Sequence, residues 1–328
     1  MKRIPDIPPP IPALNRPMPD TGPLWSVMIP AYNCFAYLPQ TIESVMAQAR
    51  ERTDMQVEVI DDASTDGDVR QLVAELGKGK IGYFRQEQNT GSLRNFETCI
   101  LRSRGKLVHI LHGDDLVLPG FYAKMEKLLE RFPAAGAAFC RYQYINEKSE
   151  VLFPSDIEKP EDGLLENWLF RLYERQRIQT PSIVVRRSVY ERLGSFYAVH
   201  YGEDWEMWLR IAAHYPFAYT PDLLASYRRH STSISGQSFL TGQNIRDLKK
   251  VMDLTEHYLP ASQRKKLRKT SEHFYARYAV ITGKMLWNTY QNRPAAKAQL
   301  KEAFKMDKNI WTFKDTWKLI IKLMLNIT

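Results

Sequence analysis

Residues 106–119 read K-L-V-H-I-L-H-G-D-D-L-V-L-P. Residues 107–111 are apolar apart from His109, the pattern of a strand buried on both faces of a sheet. The run stops abruptly at His112-Gly113-Asp114-Asp115. Two adjacent carboxylates at the end of a buried strand are costly unless a cation sits beside them. A hard divalent ion shared with a phosphorylated ligand would satisfy both. A plainer reading stays open, with Asp114 capping the helix that starts near Pro119 and Asp115 merely solvated.

Working outward from this strand, the first half of the chain alternates strand and helix. Residues 25–29 (W-S-V-M-I) predict a strand that breaks at Pro30-Ala31-Tyr32-Asn33. A helix follows, with Leu38, Ile42, Val45 and Met46 at helical spacing and Pro39 in its first turn. A second strand, 56–60, ends at Asp61-Asp62-Ala63-Ser64-Thr65-Asp66, and a helix over 69–76 leads to a strand over 81–85. The turn Gln88-Asn89-Thr90-Gly91 opens a helix over 92–102, and the central strand follows. This order predicts an α/β fold with right-handed crossovers and a mainly parallel sheet. Ligands bind at the carboxyl edge of such sheets, so the loops 30–33, 61–66 and 112–115 should converge on one site.

Beyond Pro119 the spacing predicts a helix to Arg131, a strand over 137–146, a helix over 163–173, a strand over 181–186 and a short helix to Leu193. Gly202-Glu203-Asp204-Trp205 opens a further helix, in which Trp205, Trp208, Leu209 and Ala212 share a face. Strands are expected over 217–219 and 223–228, and the chain is helical from about 241 onward. Residues 1–23 carry eight prolines and read as an extended arm. The domain division expected is an arm over 1–23, a catalytic domain over 24–240 and a basic helical region over 241–328.

The 328 residues are 44% hydrophobic and 25% charged, as in ordinary globular proteins. No apolar run reaches the length of a membrane-spanning helix, and the N-terminus lacks an apolar leader core. Cys34, Cys99 and Cys140 are widely spaced in apolar settings and read as reduced thiols. Together these features predict a cytoplasmic protein. The net charge of +9 is uneven: residues 241–328 hold 18 Lys and Arg against 7 Asp and Glu, which leaves the preceding 240 residues slightly acidic. A basic tail implies an anionic partner. In residues 311–327, Lys314, Lys318 and Lys322 form one helical stripe and Trp317, Ile321 and Met324 another. That pattern fits either peripheral contact with the inner face of a membrane or a helix packed on the body with solvated lysines.

Six segments together resemble the family-2 glycosyltransferases of GT-A fold. They are V-M-I-P-A-Y-N (27–33), V-I-D-D-A-S-T-D (59–66), N-T-G-S-L-R-N (89–95), H-G-D-D (112–115), G-E-D-W-E-M-W-L-R (202–210) and Y-R-R-H-S-T-S-I-S (227–235). The resemblance covers roughly residues 24–235. It implies inverting transfer of a sugar from a UDP- or dTDP-linked donor to a hydroxyl acceptor, with Mn2+ or Mg2+ as cofactor. It points to synthesis of a bacterial surface glycan or lipid-linked oligosaccharide. Nucleic-acid binding through the basic tail is a weaker reading, since the tail carries no recognised reading motif, and no nucleic-acid partner is expected. Pro30, Ala31, Tyr32 and Asn33 would form the uridine pocket, and Asp62 would accept the base N–H, although a carboxylate there could instead hold the turn amides of residues 63–66. Arg94 offers a fork for a phosphate or a surface ion pair. Asp114 and Asp115 would hold the ion, one of them alternatively the donor ribose. His112 stands at the first position of the family's D-x-D, either as a ligand for the softer Mn2+ or as a hydrogen-bonded loop histidine. His230 would approach the metal or diphosphate, and Arg228 and Arg229 would suit a loop covering it. Asp204 would be the general base, with Glu203 as the alternative. Trp205 and Trp208 serve as core or as an acceptor wall.

Two other classes compete. A nucleotidyltransferase would want glycine and lysine in the loop after the first strand, and Pro-Ala-Tyr-Asn has neither. A glycan- or membrane-binding protein that kept the fold without catalysis is not excluded by fold.

Overall fold

In the computed structural model the described residues are 2–14, 22–49, 52–230 and 233–325. Pro17 and Pro19 of the arm, Ser231 and Thr232 of the last resembling segment, and Ile327 at the end of the basic helix lie outside them.

The chain runs β1 (Trp25–Ala31), α1 (Leu38–Ala49), β2 (Met55–Asp61), α2 (Val69–Gly77), β3 (Ile81–Arg85), α3 (Ser92–Arg102), β4 (Leu107–Ile110), β5 (Leu116–Val117), α4 (Phe121–Arg131), β6 (Ala137–Ile145), β7 (Val151–Pro154), β8 (Gly163–Leu164), α5 (Trp168–Glu174), β9 (Ile183–Arg186), α6 (Arg187–Leu193), α7 (Glu203–Ala212) and β10 (Phe217–Arg228). It finishes in α8 (Ile234–Thr241), α9 (Gln243–Thr255), α10 (Ala261–Tyr290), α11 (Arg293–Met306) and α12 (Lys314–Leu325). The sheet order is β3-β2-β1-β4-β9-β6-β10-β5, with β7 on β6 and β8 on β10. Strands β3, β2, β1 and β4 are mutually parallel, as are β6 and β10, whereas β9 runs antiparallel between β4 and β6. Every residue of β1 is buried, which is why it reads as an unbroken apolar run.

Two expectations fail locally, and two strands go unforeseen. Residues 163–173 are not one helix: Gly163 and Leu164 pair with β10, and α5 begins only at Trp168. Residues 217–228 form one strand, which absorbs the polar Pro221-Asp222 step through register shifts against β6. Strands β5 and β7 carry too few residues to show a period.

The structure divides into two compact units. The first comprises Met1–Trp168, Ile178–Ala198 and Ile211–Arg229, and holds the whole sheet. Its core packs β1, β2 and β4 against α1, α2 and α4. The Pro-rich arm docks on this unit through its carbonyls: Pro5 accepts from Ala198 N–H (2.9 Å), Pro9 from Ser195 N–H (2.8 Å) and Pro12 from Arg187 (3.2 Å). The second unit comprises Leu169–Arg177, Val199–Arg210 and His230–Thr328. Within it α10 lies on α11, with Gly283 too close to Ala296 O for any side chain to fit easily. Tyr173 and Trp205 anchor the earlier segments, donating to the carbonyls of Met252 and Leu172. The thiols of Cys34, Cys99 and Cys140 form no disulfide, and burial pushes all three well up.

Candidate active site

The parallel order β2-β1-β4 places the three loops side by side at the carboxyl ends of these strands. Backbone bonds join them: Asp62 N–H donates to Ala31 O (2.8 Å) and Gly113 N–H to Pro30 O (3.1 Å). Asn33 adopts φ 48° and ties the first two loops, its side-chain oxygen accepting from Thr65 N–H (2.8 Å) while its own N–H meets Ser64 Oγ (3.1 Å). Tyr32 is half exposed, so it is not part of the core.

The two aspartates ending β2 divide their work. Asp61 is fully buried and accepts from Ser64 N–H (2.8 Å), Tyr83 Oη (2.7 Å) and Arg85. Burial alone would raise its carboxyl; these donors outweigh it and hold the group below the usual range. Asp62 does not hold the amides of its own turn. Its Oδ1 accepts from Thr90 N–H (2.7 Å) and Thr90 Oγ1 (2.8 Å), and its Oδ2 from Gly91 N–H (2.9 Å). Asp62 therefore fixes the loop that leads into α3. Gly91 has φ 91°, a conformation side-chain-bearing residues avoid, and Arg3 of the arm lies against it while bonding Asn89. Arg94 donates to Glu97 (2.6 Å) and to the Lys2 carbonyl (2.8 Å), the ion-pair option of the two.

At the end of β4, His112, Asp114 and Asp115 bring one potential ligand atom each within 4.8 Å of one another. Asp115 is 1% exposed; its Oδ1 accepts from Arg228 N–H (2.8 Å), and its main-chain carbonyl from Thr41 Oγ1 (2.8 Å). Its Oδ2 has no hydrogen-bond partner and lies 3.7 Å from His112 Nδ1. Burial, then the neighbouring Asp114, pushes the Asp115 carboxyl well up. His112 Nε2 is also buried without a partner, and the ring stacks on Phe96 at 5.2 Å. The unpartnered Asp115 Oδ2, with His112 Nδ1 3.7 Å away and Asp114 beside it, is what a divalent cation with oxygen and imidazole ligands would satisfy, so these residues fit such an ion. His109, one turn of pleat earlier, is inert: both ring nitrogens meet Tyr122 Oη (3.3 Å) and Pro181 O (3.1 Å), and burial lowers it to about 3.

Arg228 does not form a covering loop. It is 2% exposed, and its guanidinium donates to Asp114 O (2.8 Å), Asn146 O (3.1 Å), Ser149 Oγ (3.0 Å) and Gln40 Oε1 (2.8 Å) above the Tyr37 ring. It braces the acidic pair from behind. Arg229 is exposed and lies 5.9 Å from the Tyr144 ring centre.

In the second unit, Glu203 and Asp204 open α7. Burial raises Asp204 to about 6, against the bonds from Trp205 N–H and the Gln176 side chain that hold it down. Burial, then Asp204 and Asp247, pushes Glu203 well above the carboxylate range. Trp205 and Trp208 are buried, which makes them core and not a wall. The carbonyl of His230 accepts from Ser233 Oγ (2.8 Å), and Ser233 caps α8. The Asp61–Tyr83–Arg85 clamp and the support from Phe96, Gln176 and Arg228 carry no local motif; only contacts between distant segments reveal them.

A family model described as glycosyl transferase family 2 matches residues 26–194. An uncharacterized protein of Mycobacterium tuberculosis, MT1568, is 24% identical over 70% of this chain and 75% of its own length. A second from the same species, Rv1520, is 30% identical over 64% of this chain, a match that spans 60% of that protein's length. Among solved structures, TarS of S. aureus in complex with UDP-GlcNAc aligns with a TM-score of 0.63 at 15% identity, over 86% of this chain and 81% of that one. The mannosyltransferase PcManGT from Pyrobaculum calidifontis, in complex with GDP-Man and Mn2+, aligns with a TM-score of 0.58 at 17% identity, over 98% and 89%.

Proposed function

The chain belongs to glycosyl transferase family 2, and on that premise we propose that it moves a sugar, with inversion, from a UDP- or dTDP-linked donor to a hydroxyl group of a growing surface glycan or lipid-linked oligosaccharide. The observation that carries this reading is the acidic cluster with its unpartnered Asp115 Oδ2, set beside the loop gripped by Asp62. The nucleotide-sugar complexes of the structural neighbours support a donor of this class.

Residues 30–33 and Asp62 would bind the nucleoside, Asp62 by presenting residues 89–91 as well as its own carboxylate. Asp114, Asp115 and His112 would hold Mn2+ or Mg2+, with His230 a further candidate ligand. When bound, the ion supplies Lewis-acid stabilisation of the departing diphosphate. Asp204 takes the acceptor proton; a carboxyl raised to about 6 is ionised at neutral pH yet basic enough to accept it. Burial and the adjacent Asp204 push the Glu203 carboxyl well up; Asp204 is the base that the family resemblance favours, with Glu203 as the alternative. We divide the chain by role into the arm 1–23, a catalytic region 24–240 and a basic helical region 241–328.

The test is nucleotide release from a panel of UDP- and dTDP-sugars in the presence of Mn2+. Turnover with one donor that disappears in Asp204→Asn, with donor binding retained, supports the reading. Binding without release for every donor and acceptor tried would make the chain a non-catalytic binder instead.

A further inference from the structure

We propose that α12 lies in the plane of an anionic membrane surface and holds the protein there reversibly. A helix packed on its own body would bury its bulky apolar residues. Only part of that holds here: α12 buries Thr316, Leu319 and Leu323 within its own unit, with Leu319 against Gly283 of α10. Trp317 (50%), Ile321 (50%), Met324 (75%) and Leu325 (63%) are left exposed. At about 100° per residue these four span an arc of roughly 100°, on the side opposite the buried one. Trp311, also exposed, extends the patch, stacking on Trp317 at 5.0 Å and on Phe304 at 4.3 Å. Trp317 Nε1 donates to the Trp311 carbonyl (2.9 Å), which fixes both indoles in place before any partner arrives.

Charge decides the occupant. Lys318 and Lys322 run along one flank of the apolar arc and Lys314 lies just inside that edge, while the single acidic residue of α12, Asp315, is held by Lys284 at 2.6 Å and approached by Lys318 at 3.7 Å. Residues 241–328 carry 18 Lys and Arg against 7 Asp and Glu. Two copies meeting through this face would bring lysine stripes and two strongly basic regions together, whereas anionic headgroups neutralise them. Indoles, aliphatic tips and flanking lysines on one helix are the composition that partitions into the headgroup region. Among the described residues no helix is long and apolar enough to cross a membrane, so this contact is one of lying on the surface. The inference is independent of which sugar the protein transfers.

Flotation of the full chain with phosphatidylcholine vesicles, with and without phosphatidylglycerol, tests it. The protein should float with phosphatidylglycerol vesicles at low salt and be released at high salt. Trp317→Ser/Ile321→Ser/Met324→Ser, all at exposed positions, should melt like the wild type and lose at least about tenfold in vesicle affinity. Each of Lys314→Gln and Lys318→Gln should cost about fivefold. Wild-type protein that stays unbound with phosphatidylglycerol vesicles, or a triple variant that floats as well as the wild type, overturns the proposal. So does a concentration-dependent dimer in sedimentation velocity that the triple variant abolishes while vesicle binding is unaffected.

Discussion

The Arg228 N–H donates to Asp115 Oδ1 at 2.8 Å, and the Arg228 side chain holds the carbonyl of the adjoining Asp114 at 2.8 Å. One carboxylate oxygen is thus fixed by the scaffold, and the other is aimed at the cluster without a partner.

Asp115→Asn keeps an acceptor for the Arg228 N–H and removes the anionic charge. Mn2+-dependent UDP affinity should fall at least about tenfold by calorimetry. The metal-free melting temperature should hold or rise, because the substitution relieves a buried, uncompensated charge. Equal affinity with and without Mn2+ in wild type and variant would refute the ligand role.

Arg228→Met takes the donor away from Asp114 O, Asn146 O, Ser149 Oγ and Gln40 Oε1, in part-buried bonds. Loss of charge-assisted bonds of this kind should destabilise by about 2–3 kcal/mol, read by urea denaturation. Arg228→Lys should recover little, since an ammonium cannot span the fork's separate acceptors.

The raised Asp204 carboxyl gives a pH dependence of defined sign. The base works only when ionised, so kcat/KM should climb as pH rises through about 6 and level above it. In Asp204→Asn transfer should be abolished at every pH. A rising limb centred near 4 would show that the group is not buried as described, or that it is not the base.

Asp62→Ala should loosen residues 89–91 by stranding the amides of Thr90 and Gly91, at a cost of about 1–3 kcal/mol. UDP binding should weaken alongside, while a neutral acceptor in Asp62→Asn should restore part of the stability and less of the binding. Differential scanning fluorimetry and calorimetry on both variants separate the two effects.

What sequence reading recovers follows from how local each cause is. The segment Ser92–Arg102 is a helix with the predicted bounds because its apolar spacing and its Gly91 start are both local. The loops meet as expected because parallel connectivity leaves them little alternative. Asp62 stands out in the sequence as a candidate for base recognition, but its grip on Thr90 and Gly91 does not, because 28 residues separate the nearest of the partners. Arg228 looks like a phosphate binder because its chemistry suits one; only the fold shows that its donors are committed to main-chain and side-chain oxygens of the scaffold. The exposed apolar arc of α12 was one of two rotations the same periodicity permits, and tertiary packing chose between them.

The three native cysteines carry a practical consequence. Burial keeps their thiols from ionising at neutral pH, and alkylating dyes react with thiolates. A cysteine engineered at an exposed site outside the lysine stripe, such as Thr312 just before α12, should therefore take up label selectively without any native cysteine being replaced. A single environment-sensitive fluorophore there would report α12 in real time as vesicles are mixed in.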